Sequence, residues 1–409
     1  MFVLAYGNIY SYDKEKNSLE IIEINHSFSR TLSDEFSQMF YETWAILDEN
    51  FYDEHFHGIN WKEKRDFYAG FLVDIRHRNN LRELLNDMLG ELNASHMGFS
   101  SKGDEEKSFY NAYTASLGVV FDNENPYKIE RILRRSNLDL TNPVLKAGDL
   151  ITAVNSITVN PLINRDFFLS FPIKLNELSL TVKREGVDVR VNFPTYTTAE
   201  IYDLLYDEWI NKNKEYVNKK SDGQVAYVHM KDMSTQSYEQ FVIDMTTYAN
   251  NADALVFDLR YNRGRNVHDN VLGFLSQKPY LNWKYREGML SPQPLFAPSA
   301  KPMILVMNEH SLSDAEMTAT GFRELGLGKL LGTETYRWII FTSGKWLVDG
   351  SFVRIPAWGC YTLNGDNLEL TGVSPDIYVN TTFKDRLKEN DPQLDRTIEE
   401  VIKDLENRK

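Results

Sequence analysis

The chain places a serine at the junction between a strongly apolar stretch and a helix-forming one. Ser313 follows the apolar run Pro302–Met307 and a short polar turn, and the pattern from Asp314 to Leu325 predicts a helix. The first N–H groups of a helix lack intrahelical acceptors, so together with the helix dipole they suit a developing oxyanion beside a serine nucleophile. Ser313-Asp-Ala-Glu316 is also a capping box, which is the commoner explanation for this segment taken alone.

A serine and a histidine are adjacent in a second segment. Ser95 and His96 follow a helical pattern that ends near Gly90. The imidazole could act as a general base, and the neighbouring hydroxyl could orient it. One histidine among the eight of this chain is more often a packed or surface residue, so the pair alone does not establish catalysis.

Two further segments could complete such a site. The strand predicted at Ala254–Leu259 runs into a turn with Asn262 and Gly264, and backbone N–H groups exposed in such a turn can help to form an oxyanion hole. Ordinary strand-to-helix loops have the same composition. Glu369, ahead of Gly-Val-Ser-Pro, could hydrogen-bond an orienting group, or it could be a surface charge at a strand edge.

The first quarter of the chain predicts a β hairpin and then helices. Strands at Asn8–Tyr12 and Leu19–Ile24 form the hairpin of residues 1–30. Apolar side chains then recur every three or four positions, which predicts a helical subdomain over residues 31–108. These side chains are Phe36, Phe40, Trp44, Leu47 and Phe51, then Phe67, Phe71 and Ile75, then Leu81, Leu84, Leu85, Met88 and Leu89.

Residues 109–197 change to short β segments. The string Leu145-Lys-Ala-Gly-Asp-Leu-Ile-Thr-Ala-Val-Asn155 resembles the signature of PDZ domains, and Leu117-Gly-Val119 resembles their carboxylate-binding loop. Such a groove takes an extended peptide as an added strand. We therefore predict a PDZ-like β domain here, with a small β domain of another kind as the alternative.

Residues 198–409 alternate strand and helix after a charged helix and linker at Glu200–Lys219. This alternation predicts an α/β sandwich with a largely parallel central sheet, which makes the whole chain an α/β multi-domain protein. The predicted strands are Val225–His229, Ala254–Leu259 and Pro302–Met307, and the predicted helices are Tyr238–Ala249, Val267–Leu275 and Asp314–Leu325.

Composition limits the function classes. A net charge of -14 over 409 residues argues against nucleic-acid binding, which needs a basic face. The single cysteine, Cys360, permits a reducing compartment. The apolar run Phe2–Tyr6 has no basic leader or cleavage signal, and no stretch approaches the length of a membrane span. We expect a cytoplasmic protein without membrane association, metal or cofactor.

The four segments together resemble the tricorn protease family, within the wider group that includes the carboxyl-terminal processing peptidases. In that family a helical subdomain, a PDZ domain and an α/β catalytic subdomain follow one another. The resemblance extends from about residue 31 to the region of Asn380. The matching strings contain Ser95-His96, Arg260-Tyr-Asn-Arg-Gly264, Ser313 and Glu369, and also Val225–Met233, Gly332-Thr-Glu-Thr335 and Leu347-Val-Asp-Gly350.

The resemblance implies a serine peptidase acting on peptides or unfolded polypeptides. His96 would take the proton of Ser313, which attacks the peptide carbonyl and forms an acyl-enzyme. Ser95 would accept a hydrogen bond from the other ring nitrogen of His96, and Glu369 would hold Ser95, so that the two replace the Asp of a Ser-His-Asp triad. The N–H groups of Gly264 and Asp314 would form the oxyanion hole. Family members assemble into rings or larger oligomers, which makes a homo-oligomer an expectation.

The sequence also departs from the family. Arg263 and Arg265 flank Gly264 where consecutive glycines are usual, and Tyr336-Arg-Trp-Ile339 replaces further glycines. Trp338 falls near the position of the catalytic Lys of carboxyl-terminal processing peptidases, which favours the tetrad over a Ser-Lys dyad. Full-length relatives carry β-propellers before the helical subdomain, and the hairpin at residues 8–24 could be the last piece of a propeller blade, in either a natural core-only form or a fragment.

Two alternatives to an active peptidase stay open. A pseudopeptidase would bind peptides through the PDZ-like groove and a cleft altered by Arg263 and Arg265. An α/β hydrolase of another kind is disfavoured because Ser313 lacks a Gly-x-Ser-x-Gly elbow.

Overall fold

The computed structural model describes residues 1–24, 29–133 and 145–407, which form two compact units. The first unit comprises Met1–Lys102 and Thr342–Ile355, and the second comprises Gly103–Phe341 and Pro356–Lys409. Over the described ranges, none of the helices combines the length and the apolar composition needed to cross a membrane.

The first unit begins with a three-stranded antiparallel sheet. Its strands are Phe2–Ala5, Asn8–Asp13 and Ser18–Ile21. The last two are the strands predicted for the hairpin, and the first is an addition that the sequence analysis missed. Tyr6 and Gly7 make the turn that joins it to the next strand, with both residues at positive φ.

Three helices follow and supply the core of this unit. They are Leu32–Asn50, Trp61–Ala69 and Arg78–Gly90, in the region predicted to be helical. The apolar stripes of the first and third helices are buried, with Phe40, Leu47 and Leu81 fully enclosed. The stripe predicted for the second helix is wrong, because Phe67 is 58% exposed and Phe71, 44% exposed, lies beyond the end of that helix. The strand Gly98–Ser100 then joins Phe352–Trp358 and Phe341–Trp346 in a three-stranded sheet.

The second unit opens with a β region that has its own hydrophobic core. Four strands form an antiparallel sheet, two antiparallel pairs accompany it, and a short helix lies at Arg165–Leu169. The sheet contains, in spatial order, Val187–Pro194, Glu177–Arg184, Leu150–Val154 and Ile157–Thr158. The pairs are Val119–Phe121 with Ile129–Ile132 and Tyr113–Thr114 with Ser170–Phe171. The likeness to a PDZ domain stays a prediction.

A parallel sheet forms the centre of the rest of this unit, as predicted, but it has five strands where the sequence analysis identified three. We number its strands β1 (Val225–His229), β2 (Ala254–Asp258), β3 (Met303–Met307), β4 (Lys329–Gly332) and β5 (Ile377–Tyr378). Their order in space equals their order in the chain, and every pairing is parallel. The carboxyl ends of all five strands therefore meet at one edge, where α/β proteins place their sites.

Five helices cover the two faces of this sheet. They are α1 (Thr198–Lys220), α2 (Thr235–Thr246), α3 (His268–Leu275), α4 (Asp314–Glu324) and α5 (Pro392–Glu406). Helices α2, α3 and α4 pack on one face, and α1 and α5 pack on the other. The predicted helix at 238–249 begins earlier, because Ser234 caps α2 by accepting a hydrogen bond from Ser237 N–H.

The remaining elements of this unit are short. They are the antiparallel hairpin of Leu281–Lys284 and Leu290–Gln293 and the helices Leu368–Thr371 and Phe383–Leu387.

Candidate functional site

The turn after β3 presents Ser313 in a backbone conformation that residues with a side chain rarely adopt. Ser313 has φ 58° and ψ -121° and immediately precedes α4. Asn308 and Ser311 hold this turn: the Asn308 N–H donates to Ser311 Oγ at 3.0 Å, and the Ser311 hydroxyl donates to the Leu259 carbonyl at 2.9 Å. Strain of this kind persists only where surrounding contacts impose it, and it is frequent at functional sites.

Glu316 supplies those contacts from inside α4. Its side chain is fully buried, and its carboxylate accepts the N–H groups of Ser313 at 2.9 Å, Trp338 at 2.8 Å and Arg337 at 3.0 Å, as well as the Thr335 hydroxyl. Burial raises the pKa of the Glu316 carboxyl, and these hydrogen bonds oppose that rise. Glu316 therefore ties the backbone of Ser313 to the loop that follows β4.

The predicted capping box at Ser313–Glu316 is present, but it does not use the serine hydroxyl as the sequence suggested. The Glu316 N–H donates to the Ser313 carbonyl oxygen at 2.8 Å, and the hydroxyl makes no capping hydrogen bond. Helix capping therefore does not explain why this position carries a serine with a hydroxyl group.

Gly264 lies directly against Ser313. It is buried with φ +71°, and a Cβ at this position would come within 2.6 Å of Ser313 Cβ and 3.0 Å of Asp314 N. A glycine is therefore required for both the backbone conformation and the close approach. The Gly264 N–H donates to Asn262 Oδ1 at 2.9 Å, within its own loop.

The backbone amide of Asp314 differs from that of Gly264. Among the residues that the structure describes, none accepts a hydrogen bond from the Asp314 N–H. It is the first amide of α4, next to the Ser313 side chain, so it has the position and the free hydrogen that an oxyanion donor needs.

The Asp314 carboxylate connects α4 to α3. It accepts the N–H groups of Val267 at 2.6 Å and His268 at 3.0 Å, and it also hydrogen-bonds His268 Nδ1. This hydrogen bond raises the pKa of His268 above its ordinary value, because it favours the imidazolium beside a carboxylate. The residue after Ser313 thus holds the end of the Gly264 loop.

The raised pKa of His268 predicts a pH-dependent contribution to stability. The contribution is complete below the pKa of the unfolded chain, about 6.5, and is lost as the pH rises through the higher pKa of the folded state. His268→Asn keeps an amide donor for Asp314 but cannot titrate. We expect the free energy of unfolding of the wild type, relative to His268→Asn, to decrease as the pH rises above about 6.5.

Urea unfolding of both proteins across this pH range measures the difference directly. A difference that is constant with pH would contradict an ionic His268–Asp314 pair.

Glu369 is buried at 7% exposure and begins the short helix Leu368–Thr371, so the alternative of a surface charge at a strand edge is wrong. Its Oε2 accepts the Ile339 N–H at 3.2 Å. The adjacent amide, Trp338 N–H, donates to Glu316, so two buried carboxylates hold consecutive amides of one loop. The sequence did not indicate that Glu316 and Glu369 share this loop.

Ser95 and His96 lie in the first unit, in the turn between the helix Arg78–Gly90 and the strand Gly98–Ser100. His96 is 8% exposed and has φ 59°. It is therefore a packed histidine in an unusual backbone conformation and not a surface residue. The other predicted site residues, Ser313, Asp314, Gly264 and Glu369, all lie in the second unit.

A buried ionic network that sequence reasoning missed supports the Gly264 loop. The Arg260 guanidinium donates to Asp258 at 2.7 Å and to Asp391 at 2.8 Å, and the side chains of Arg260 and Asp258 are enclosed. Burial would raise the pKa of Asp258, but the charge of Arg260 outweighs this effect and lowers it. In the sequence, the close spacing of Asp258 and Arg260 could have indicated an ion pair. The third member, Asp391, could not be found in this way, because it lies far from both in the chain.

His229 lies next to this network. Burial lowers its pKa to about 4, so this imidazole is neutral at pH 7.

A pocket of about 730 Å³ opens at the carboxyl edge of the sheet, on the side of α1 and α5. Leu312 and Arg263 line it, and they are the chain neighbours of Ser313 and Gly264. Aromatic side chains form much of its wall, namely Tyr206, Trp209, Tyr261, His310 and Tyr336. Over the described ranges, no group of three or more His, Cys, Asp or Glu side chains is arranged to hold a metal ion.

Comparisons with known proteins agree with this architecture. Residues 32–90 match the model of the tricorn protease C1 domain, and residues 224–379 match that of peptidase family S41. A tricorn protease homolog of Saccharolobus solfataricus is 28% identical in an alignment of 384 positions that covers 91% of this chain and 35% of that protein. Tricorn protease of Thermoplasma volcanium is 27% identical in an alignment of 430 positions that covers 100% of this chain and 40% of that protein.

The fold has a counterpart among solved structures. The crystal structure of the tricorn protease superposes with a TM-score of 0.77 at 23% identity, over 98% of this chain and 40% of that chain. The present chain thus spans between 35% and 40% of the length of these three relatives.

Proposed function

Because the chain belongs to the tricorn-like proteases, which are serine-type peptidases, we propose that it hydrolyses peptides or unfolded polypeptides through an acyl-enzyme on Ser313. The observation that carries this proposal is the Ser313 turn. There a hydroxyl that caps nothing is held in a strained conformation beside Gly264 and the unused Asp314 N–H.

In the proposed reaction, Ser313 Oγ attacks the peptide carbonyl while His96 accepts the hydroxyl proton. The tetrahedral oxyanion forms beside the Asp314 N–H, whose hydrogen bond strengthens as negative charge develops. His96 then protonates the leaving amine, and the C–N bond breaks to give the Ser313 ester. Water hydrolyses this ester with His96 again as the base, which restores the free serine.

The roles of the remaining residues rest on the resemblance of their motifs to the family. Ser95 orients the imidazole of His96, and Glu369 holds Ser95. Gly264 is the second proposed oxyanion donor, and its N–H must leave Asn262 Oδ1 before it can serve. The PDZ-like region is proposed to bind extended peptide, and a homo-oligomeric assembly and a cytoplasmic location stay predictions.

A pseudopeptidase is the second candidate, and one observation favours it. The Gly264 N–H already donates to Asn262, which would leave the oxyanion with a single donor if the loop did not rearrange. A protein in this state would bind peptides without appreciable turnover.

A fluorophosphonate probe separates the two candidates, because it reacts covalently only with an activated serine. We expect stoichiometric labelling of the wild type, with the label on Ser313 in the mapped peptide and absent from Ser311, whose hydroxyl is already hydrogen-bonded. No labelling of a folded sample would reject the active peptidase and favour the pseudopeptidase.

A further inference from the structure

We propose that the pocket beside Ser313 is a substrate subsite that selects a carboxylate, and that Arg263 is the residue that recognises it. The inference deepens the proposed function, because it assumes that peptide substrates pass along the Ser313 turn. The carboxylate belongs either to an acidic side chain or to the free C-terminus of the peptide.

The position of the pocket connects it to the reacting bond. Gly264 contacts Ser313, and the residues just before each of them, Arg263 and Leu312, line the pocket. One residue of extended peptide spans about 3.3 Å. A substrate whose carbonyl lies at Ser313 therefore reaches this pocket with a group about one to three residues from the cleaved bond.

The charges in the pocket leave Arg263 uncompensated. Each acidic side chain of the wall already has a partner: Asp391 pairs with Arg260 at 2.8 Å, Glu389 pairs with Lys212, and Glu309 accepts the Thr333 hydroxyl at 2.7 Å. Arg386 lies near Glu309 and helps to lower the pKa of that carboxyl.

Arg263 itself is exposed, and within the described part of the chain its guanidinium makes no ion pair or side-chain hydrogen bond. An anion from outside the chain can therefore reach it without displacing an existing partner.

The two arginines of the loop have different surroundings. Arg265 Nε lies 3.5 Å from the Asp232 carboxylate, whose other partners are the hydroxyls of Ser234 and Ser237, and it does not line the pocket. Of these two arginines, Arg263 is the one that lines the pocket. This difference makes Arg265 the matched control for Arg263.

The aromatic wall of the pocket favours a hydrogen bond between the Arg263 guanidinium and a carboxylate. Tyr261 packs edge-on against Trp209 at 5.5 Å between ring centroids and stacks on His310 at 5.4 Å. These rings exclude water from one side of a bound group, and a hydrogen bond between ions is stronger there than in bulk water. The planar guanidinium offers two parallel N–H donors that match a carboxylate, whereas a neutral amide offers no equivalent pair of acceptors.

The test uses a set of matched peptides. Each member carries Glu or Gln at one position within three residues of the cleaved bond, with a free or an amidated C-terminus. We measure kcat/KM with the wild type, Arg263→Gln and Arg265→Gln, and the affinity of the same peptides for Ser313→Ala with and without Arg263→Gln. A wild-type preference for the carboxylate of about tenfold to a hundredfold is expected, as for hydrogen bonds to charged groups.

The outcomes identify both the residue and the source of the carboxylate. Loss of the preference in Arg263→Gln, with the preference retained in Arg265→Gln, supports the proposal. The Glu or Gln arm and the free or amidated arm tell which carboxylate is bound. A preference that survives Arg263→Gln, or the absence of any preference in both cleavage and binding, overturns it.

Failure of the proposed function would look different. In that case the wild type shows neither turnover nor fluorophosphonate labelling, while the binding measurements on the Ser313→Ala background still decide whether Arg263 selects a carboxylate.

Discussion

Ser313→Ala should lower kcat for peptide hydrolysis by a factor of about 10⁴ to 10⁶ and change KM little. In the proposed mechanism the alanine removes the atom that forms the ester, so no acyl-enzyme can accumulate. The backbone contacts of this position are made by its N–H and carbonyl group, which alanine retains. The variant should therefore fold and bind peptide, because only the chemistry is lost.

Single-turnover kinetics and mass spectrometry of the trapped ester measure this effect. Ser311→Ala is the control from the same turn, because its hydroxyl is enclosed between Asn308 N–H and the Leu259 carbonyl. Loss of that hydroxyl should cost about 1–3 kcal/mol of stability through unpaired buried groups, with turnover retained within about tenfold. Equal loss of turnover in both variants would mean that the turn, and not a nucleophile, is what activity requires.

The sequence predicted three strands and four helices around the central sheet of the second unit to within a few residues, because burial and periodicity are local signals. The parallel arrangement followed from the alternation of these elements, whereas β4, β5 and α5 were not predicted. The contact between Gly264 and Ser313 was expected only because both residues resemble site residues of a known family. Local sequence signals could not predict it, because it depends on the pairing of β2 with β3 and on the two strands ending at the same level.

Long-range partners are what the sequence could not supply. Glu316 was expected to cap a helix, whereas its carboxylate also accepts two amides and a hydroxyl from the loop at 335–338. Arg263 and Arg265 looked equivalent on either side of Gly264. Their environments differ because adjacent residues of a turn project in different directions, and only one of the two found an acidic partner.

The same principle explains why the capping box gave an incomplete description of Ser313. A box of this kind is defined by four consecutive residues, and its sequence signature is the same whether or not the hydroxyl takes part. The deciding facts are the backbone angles of Ser313 and the position of the Gly264 loop, which are properties of the folded unit.

His96→Ala should reduce kcat by about 10⁴ to 10⁶, nearly as much as Ser313→Ala, while peptide affinity stays close to that of the wild type. In the proposed mechanism the imidazole acts in proton transfer, so its loss should affect the transition state more than the bound ground state. Residues that act as one unit do not contribute additively, so the double variant Ser313→Ala with His96→Ala should be no slower than Ser313→Ala alone.

His57 provides the control, because its contacts are those of a structural histidine. Its ring nitrogens contact the Leu92 carbonyl at 2.7 Å and the Tyr52 hydroxyl at 2.6 Å, all within the first unit. His57→Ala should therefore lower the melting temperature and leave kcat of the folded fraction within about threefold of the wild type, since no proton-transfer role is removed. If His96→Ala instead weakened peptide binding as strongly as turnover, or if its kcat matched that of His57→Ala, His96 would be a packing residue and the general base would have to be sought elsewhere in the chain.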